Sequence, residues 1–192
     1  MIFLTDIFKN KEINKHMAYG FLIESQKFAA KDVDALNRSA VADANVDGGA
    51  IVTLGTINSD GVFKATKATA GTGGNVWMAY NPSEHFTSAH NNMYAGLTVD
   101  PREYTNVAGR TLDVFKPQIA DIIILTEGNI KSGETVTAGS YLEMGTDGYE
   151  VQSSATASTF SLKVLEVGTL AFPQAGIGDE FTEKYICEVV FN

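Results

Sequence analysis

The sequence predicts a mainly β protein: a β-sandwich or barrel body that carries an extended or weakly helical arm at its N-terminus. Glycines recur every few residues after position 45, whereas the first 45 residues contain only Gly20. Short apolar runs lie between these glycines, and several of them alternate with polar residues as half-buried strands do. About ten short strands joined by glycine turns are typical of a sandwich or a barrel.

Each strand is predicted from an apolar run bounded by turn residues. A hairpin is expected where residues 49–57 and 62–66 flank Asp60-Gly61, because both turn residues tolerate positive φ. Residues 119–126 form a β-branched apolar run and are predicted as a central strand. Residues 83–93 are predicted as one helical turn or a loop. The other predicted strands cover residues 76–80, 111–115, 134–138, 141–144, 160–164 and 185–191.

The first 45 residues are predicted to form the arm or a cap, and residues 46–192 the β-rich body. Residues 1–45 hold six basic and six acidic groups, so the whole net charge of −9 lies in the body. Apolar residues three or four apart allow weak helices in the arm, and an extended arm fits the scattered pattern equally well. An extended arm buries its apolar side chains on a partner, whereas a helical one caps the protein's own sheet. The candidate partner-binding residues are Phe3, Ile7, Phe8, Ile13, Met17 and Phe21.

The composition excludes several classes of partner and compartment. With 14 basic and 23 acidic residues, the chain lacks the positive surface that nucleic acids and anionic membranes attract, so neither is an expected partner. One cysteine allows neither an internal disulfide nor a cysteine-based zinc cluster. No apolar run is long enough to span a bilayer, and the N-terminus lacks the regions of a signal peptide. We expect synthesis in the cytoplasm.

No group of residues predicts catalysis. His85 and His90, with Glu84 nearby, can meet at a metal in a loop, but their spacing matches no zinc motif and exposed loop histidines are favoured. The glycine-rich residues 70–75 lack the lysine and hydroxyl of a phosphate-binding loop. Cys187 alternates with apolar neighbours, which indicates an inert core thiol. We therefore expect no enzymatic activity, no catalytic residue, no cofactor and no metal.

A series of motifs over residues 44–145 has a familiar order. It comprises ANVDGGAIVTLG at residues 44–55, VFKATKA at 62–68, VWMAYNPSE at 76–84, YTNVAGRTLDVF at 104–115 and GETVTAGSYL at 133–142. This order resembles the small β-rich structural proteins of tailed bacteriophages that accompany the major capsid protein as head decoration, or cement, proteins. The shared motifs are turn and strand patterns and include no chemical signature.

The resemblance implies a virion protein on the capsid exterior that docks on the lattice of the major capsid protein and stabilises the shell. It implies a homo-oligomer, with a trimer as the expected state, because such proteins often occupy local threefold positions. It implies no catalytic residue. A neutral arm and an acidic body fit a division between a surface that docks on the shell and one that faces water.

Three other functions remain open. The first is another phage structural part, such as a head fibre, a tail protein or a baseplate protein. The second is a carbohydrate-binding module that stacks sugars on Trp77, Tyr80 and Phe86, although aromatic residues in strands more often belong to a core. The third is a hydrolase that uses paired carboxylates, which abundance alone does not identify.

Overall fold

A closed five-stranded barrel and a five-stranded sheet form the protein. The computed structural model describes residues 20–23, 27–69, 75–82, 86–89, 92–95, 105–146, 149–157, 159–174 and 178–191. The barrel contains β1 (Asn37–Ala42), β2 (Ile51–Ile57), β3 (Phe63–Lys67), β4 (Val76–Ala79) and β7 (Thr111–Phe115), in the order β1-β3-β2-β4-β7. These elements confirm the prediction of a mainly β protein.

The sheet is built from the C-terminal third of the chain. Its strands are β8 (Ile122–Thr126), β9 (Tyr141–Met144), β10 (Val151–Ser154), β11 (Ser161–Gln174) and β12 (Gly178–Phe191), in the order β10-β9-β11-β12-β8. A separate antiparallel pair consists of β5 (Phe86–Ala89) and β6 (Asn92–Ala95). Short 3-10 turns occupy Ala29–Lys31, Asp34–Leu36 and Glu127–Asn129. No helix in the parts of the chain listed above is long and apolar enough to cross a membrane.

The β2–β3 hairpin forms at the predicted turn. The Asn58 side-chain oxygen accepts hydrogen bonds from the backbone N–H groups of Asp60 and Val62, both at 3.0 Å. Gly61 adopts a φ of +80°, which an L side chain rarely tolerates. The turn thus satisfies its own polar groups and sets the register in which Ala65 pairs with Leu54.

The interior of the barrel is filled mainly by small side chains. A closed barrel of so few strands is narrow, and five of the ten buried residues in it are alanines. Trp77 is the large exception, and it lies 8% exposed. The buried residues of this barrel core are Ala40, Ala42, Val46, Ala50, Val52, Ala65, Trp77, Ala79, Leu112 and Val114.

A second core lies between the outside of the barrel and the sheet. Strand β4 contributes to both cores, because Trp77 and Ala79 belong to the barrel core while Val76 and Met78 belong to the second. This alternation explains why every residue of β4 is buried. The main residues of this interface core are Ile51, Phe115, Ile123, Leu125, Leu142, Met144, Phe160, Leu162, Val164, Tyr185, Cys187 and Val189.

Two strand predictions are wrong in a way that the neighbouring structure explains. Strand β8 lies at the end of the sheet, although its apolar run predicted a central position. Its outer edge hydrogen-bonds to Ile23 and Lys27, so it is buried like a central strand. Residues 134–138 form no strand because they lie between turns at Gly133 and Gly139, whose φ angles are +87° and +91°.

Other boundaries also differ from those predicted. Residues 83–93 were predicted as a helical turn or loop, but part of this range lies in the β5–β6 pair. Weak helices were allowed in the arm, but its residues 34–42 form one 3-10 turn followed by β1, which pairs with β3 and β7. The barrel therefore includes residues within the 1–45 range assigned to the arm. Phe191 lies 49% exposed at the end of β12, whereas Tyr185, Cys187 and Val189 are buried as predicted.

Candidate partner-binding surfaces

A segment near the N-terminus runs antiparallel to the outer edge of β8. We call residues 20–23 and 27–28 the strap. The Ile23 N–H donates to the Ile124 carbonyl at 3.1 Å, and the Ile122 N–H donates to the Lys27 carbonyl at 2.9 Å. The strap supplies backbone partners that an edge strand otherwise lacks, so the sheet does not end in an open edge on this side.

The strap also binds the barrel. The Leu22 N–H donates to the Asn81 side-chain oxygen, and the Asn81 amide donates to the Leu22 carbonyl, both at 2.7 Å. Asn81 follows β4, so this pair of bonds connects the strap to the barrel while its backbone bonds connect it to the sheet. The Gly20 N–H adds a bond of 3.1 Å to the Asp47 carboxylate.

Buried polar side chains hold the same region together. Thr126 donates from its N–H to the Asn129 side-chain oxygen at 3.1 Å, and Asn129 donates to the Gly48 carbonyl at 2.7 Å. The Phe21 N–H donates to the Thr126 hydroxyl at 3.3 Å. A Cβ atom at Gly20 would lie 2.3 Å from the Asn129 amide nitrogen, so only glycine fits this close approach.

Asp47 is the titratable group of this network. Burial raises the pKa of its carboxyl, and the hydrogen bond from the Gly20 backbone opposes that rise. The Asp47 carboxylate therefore accepts a hydrogen bond from the strap, although its burial destabilises the charged form.

The residues predicted to bind a partner lie mostly outside the structure's described ranges. Phe3, Ile7, Phe8, Ile13 and Met17 fall there, and their role stays a prediction. Phe21 is described, and it lies 5% exposed against its own chain. Sequence patterns did not reveal the side chains that hold the strap, although Asn81 directly follows the predicted strand at residues 76–80.

The β11–β12 hairpin extends beyond the rest of the sheet. Strand β9 pairs with β11 only at Leu162 and Lys163, and β8 pairs with β12 over Lys184–Glu188. Thr169–Gln174 and Gly178–Glu183 pair only with each other among the strands that the structure describes. We call this outer part the ribbon. At about 3.3 Å per residue it is roughly 20 Å long.

The ribbon was not predicted, although strands were predicted on the inner side of each of its two segments. The strands at residues 160–164 and 185–191 were recognised, but the segment between them was left unassigned. Gly176 and Gly178 lie midway between two runs of strand length, which is the composition of a hairpin connection. That signal identifies the ribbon in retrospect.

The other residues considered for chemistry are buried or not described. His16, His85, His90 and Glu84 lie outside the described residues, so the metal hypothesis stays untested. Cys187 is fully buried as predicted, and burial raises the pKa of its thiol to about 12. In the part of the chain that the structure describes, no group of three or more His, Cys, Asp or Glu residues is placed to hold a metal ion.

Trp77 lies in the barrel core as its strand context predicted. Its indole N–H donates to the Asn75 side-chain oxygen at 3.1 Å, and the Arg38 guanidinium lies 5.8 Å from the ring centroid. A ring enclosed in this way presents no open face on which a sugar can stack. Comparison of the chain with protein-family models, with curated proteins and with solved structures returned no match.

Proposed function

We propose that this protein is a virion structural protein that decorates a bacteriophage capsid, docking on the lattice of the major capsid protein and stabilising the shell. It acts as a homo-oligomer, with a trimer expected, on the exterior of the virion. The order of motifs over residues 44–145 supports the family. The ribbon supports a role in assembly, and it is the observation that carries the proposal.

The ribbon favours a partner because of its backbone. A two-stranded hairpin is marginally stable in water on its own. Within the described part of the chain, no third strand pairs with either outer edge of the ribbon, and the edge of a sheet is a template for pairing with another chain. Added strands from another chain satisfy such groups directly. A hairpin of this length on a compact body is therefore suited to pair with a neighbouring subunit or with the shell.

The packing of the barrel, the sheet and the strap supports the same function. The barrel and the sheet share one core, and the strap hydrogen-bonds to both. The single cysteine is buried, so these contacts form without a disulfide and are compatible with folding in a reducing cytoplasm. Binding to the mature lattice and not to its precursor would stabilise the mature shell by mass action.

The direct test is co-sedimentation of the purified protein with shells that lack it, followed by counting the copies bound per particle. We expect saturable binding to expanded shells and none to precursor shells. If the protein binds neither expanded nor precursor shells, the proposal is contradicted. That result favours a tail or baseplate protein or a carbohydrate-binding module. The oligomeric state is measured by sedimentation equilibrium of the free protein.

A shortened hairpin tests the role of the ribbon separately. Gly168 and Lys184 are directly paired, so an Asn-Gly turn can join them in place of residues 169–183. We expect this variant to keep the unfolding midpoint of the body and to lose shell binding. A matched variant in which Asn-Gly replaces residues 59–60 of the β2–β3 turn should retain binding.

A further inference from the structure

A cleft of about 860 Å³ lies where the strap meets the barrel. Leu22 and Phe28 line one side of it, β1 and the end of β7 line the other, and Ile123 of the sheet also contributes. Its volume lies within the range of roughly 300–1,000 Å³ that is typical of small-molecule sites. The strap, barrel and sheet all contribute, so the cleft depends on their mutual packing.

The inner wall of the cleft is aromatic and preformed. The ring of Phe115 lies 5.0 Å from that of Phe28 and 4.8 Å from that of Tyr80, measured between centroids. The Tyr80 hydroxyl donates to the Asn37 side-chain oxygen at 2.9 Å, and the Asn37 amide donates to the Ala30 carbonyl at 2.7 Å. These bonds occupy the polar atoms of the wall, which leaves a surface suited to an apolar body.

The charged residues that line the cleft, within the described part of the chain, are Lys31, Arg38 and Asp113. Arg38 donates from Nη1 to the carbonyls of Ala35 and Asn37, at 2.9 and 2.7 Å, which holds the guanidinium in one position. Asp113 accepts a hydrogen bond of 3.0 Å from the Ser39 hydroxyl. Two cations and one carboxylate make this cleft locally positive on a chain of net charge −9.

We infer that the cleft binds a small amphipathic organic anion, with an aromatic or branched aliphatic body against the aromatic wall and one carboxylate or sulfonate group at Lys31 and Arg38. Apolar walls with a few placed polar groups are the usual composition of such sites. The guanidinium binds an anionic oxygen more strongly than a neutral one. This inference is independent of the proposed function.

Two fluorescent probes of similar shape test the inference on the full chain. Anilinonaphthalene sulfonate carries the anionic group, and phenylnaphthylamine is its neutral counterpart. We expect saturable, one-to-one binding of the sulfonate and weaker binding of the neutral probe. Absence of saturable sulfonate binding, or equal affinity for the two probes, overturns the inference.

Charge variants locate the anionic group. Arg38→Gln should weaken sulfonate binding by about tenfold, the effect of one charged hydrogen bond, while affinity for the neutral probe stays unchanged. Lys64→Gln removes the same charge from an exposed position on β3, where Lys64 pairs with Asp43 at 3.0 Å, and should change neither affinity. Equal effects of the two substitutions overturn the assignment to Arg38.

A blocking variant locates the apolar body. Ser39 is exposed and lines the cleft, so Ser39→Tyr should fill the cleft without disturbing either core. We expect it to abolish binding of both probes while the unfolding midpoint stays close to that of the wild type. Thr66→Tyr, at an exposed position of β3, is the matched control and should bind normally. Unchanged binding in Ser39→Tyr places the probe elsewhere and overturns the inference.

Discussion

The barrel interior and the interface core are built from different sizes of side chain, although β4 contributes to both. The barrel core contains Ala40, Ala42, Ala50, Ala65 and Ala79, whereas the interface core contains phenylalanine, leucine, isoleucine and methionine. A barrel of five strands is narrow, but two facing layers lie about 10 Å apart and need large side chains between them. Geometry therefore determines which residue size each core accepts.

The two cores should respond in opposite ways to changes in side-chain volume. Removing atoms from the interface core leaves a cavity, because large side chains fill it and their neighbours relax only in part. Adding atoms to the barrel core should cause steric strain, because its small, fully buried residues lie in a narrow barrel. Substitutions in each direction test whether this contrast holds.

The largest expected effect is that of Phe160→Ala in the interface core. Phe160 is fully buried, and its loss should lower the free energy of unfolding by about 3–5 kcal/mol. Urea denaturation measures the change. Phe191→Ala is the matched control, since Phe191 ends β12 and pairs with Ser161, the neighbour of Phe160, but lies 49% exposed, and it should cost less than about 1 kcal/mol. Equal losses in both variants would contradict the position of the interface core.

A smaller effect is expected when a barrel residue is enlarged. Ala65 is 1% exposed in the barrel core, and Ala65→Leu should lower the free energy of unfolding by up to about 3 kcal/mol through overpacking. Thr66→Leu places the same side chain at the next, exposed position of β3 and should be close to neutral. If Ala65→Leu is neutral or stabilising, the barrel interior is not filled and the contrast with the interface core fails.

The sequence predicted most of the barrel because its signals are local. The β2–β3 hairpin rests on the turn at Asn58 and Gly61, and β7 rests on alternation ended by Pro117. The position of β8 was not predictable in this way. An edge strand that a distant segment of the chain covers has the same apolar run as a central strand. The local sequence pattern therefore does not distinguish an edge strand of this kind from a central one.

The contacts of the strap and the cleft were beyond local prediction for the same reason. Asn81 bonds Leu22, and Asn129 bonds Gly48, each across a long stretch of chain. Single asparagines near turns carry no signal of a distant partner, since the same residue is common in turns for its own backbone bonds. The cleft joins the strap, the barrel and the sheet, so it exists only once all three have packed.

The strap's bonds to the barrel are expected to matter less than either core substitution. Asn81→Ala removes both hydrogen bonds to Leu22 and should cost about 1–2 kcal/mol. It should also accelerate hydrogen exchange at the Leu22 amide, which loses its acceptor. Asn45→Ala, which removes an exposed bond to the Ala108 N–H, should leave that exchange unchanged. Unaltered exchange in Asn81→Ala would show that the strap does not depend on this pair.

The smallest expected effect concerns the charge at the start of the strap. Because burial raises the pKa of Asp47 above its ordinary value of 3.8, the folded state holds this proton more tightly than the unfolded state. The protonated Asp47 therefore contributes stability that is complete below the pKa of this group in the unfolded state. That contribution is lost as the pH rises through the pKa of Asp47 in the folded state. Asp47→Asn keeps an acceptor for the Gly20 N–H and carries no charge at any pH.

The variant should therefore gain stability relative to the wild type as pH increases from about 4 to 7. Urea denaturation across this range measures the difference between the two proteins. Asp43→Asn removes an exposed carboxylate that pairs with Lys64, and it should show no such gain. If Asp47→Asn instead loses stability with rising pH, the charged carboxylate stabilises the strap, and its hydrogen bond from Gly20 outweighs the cost of burial.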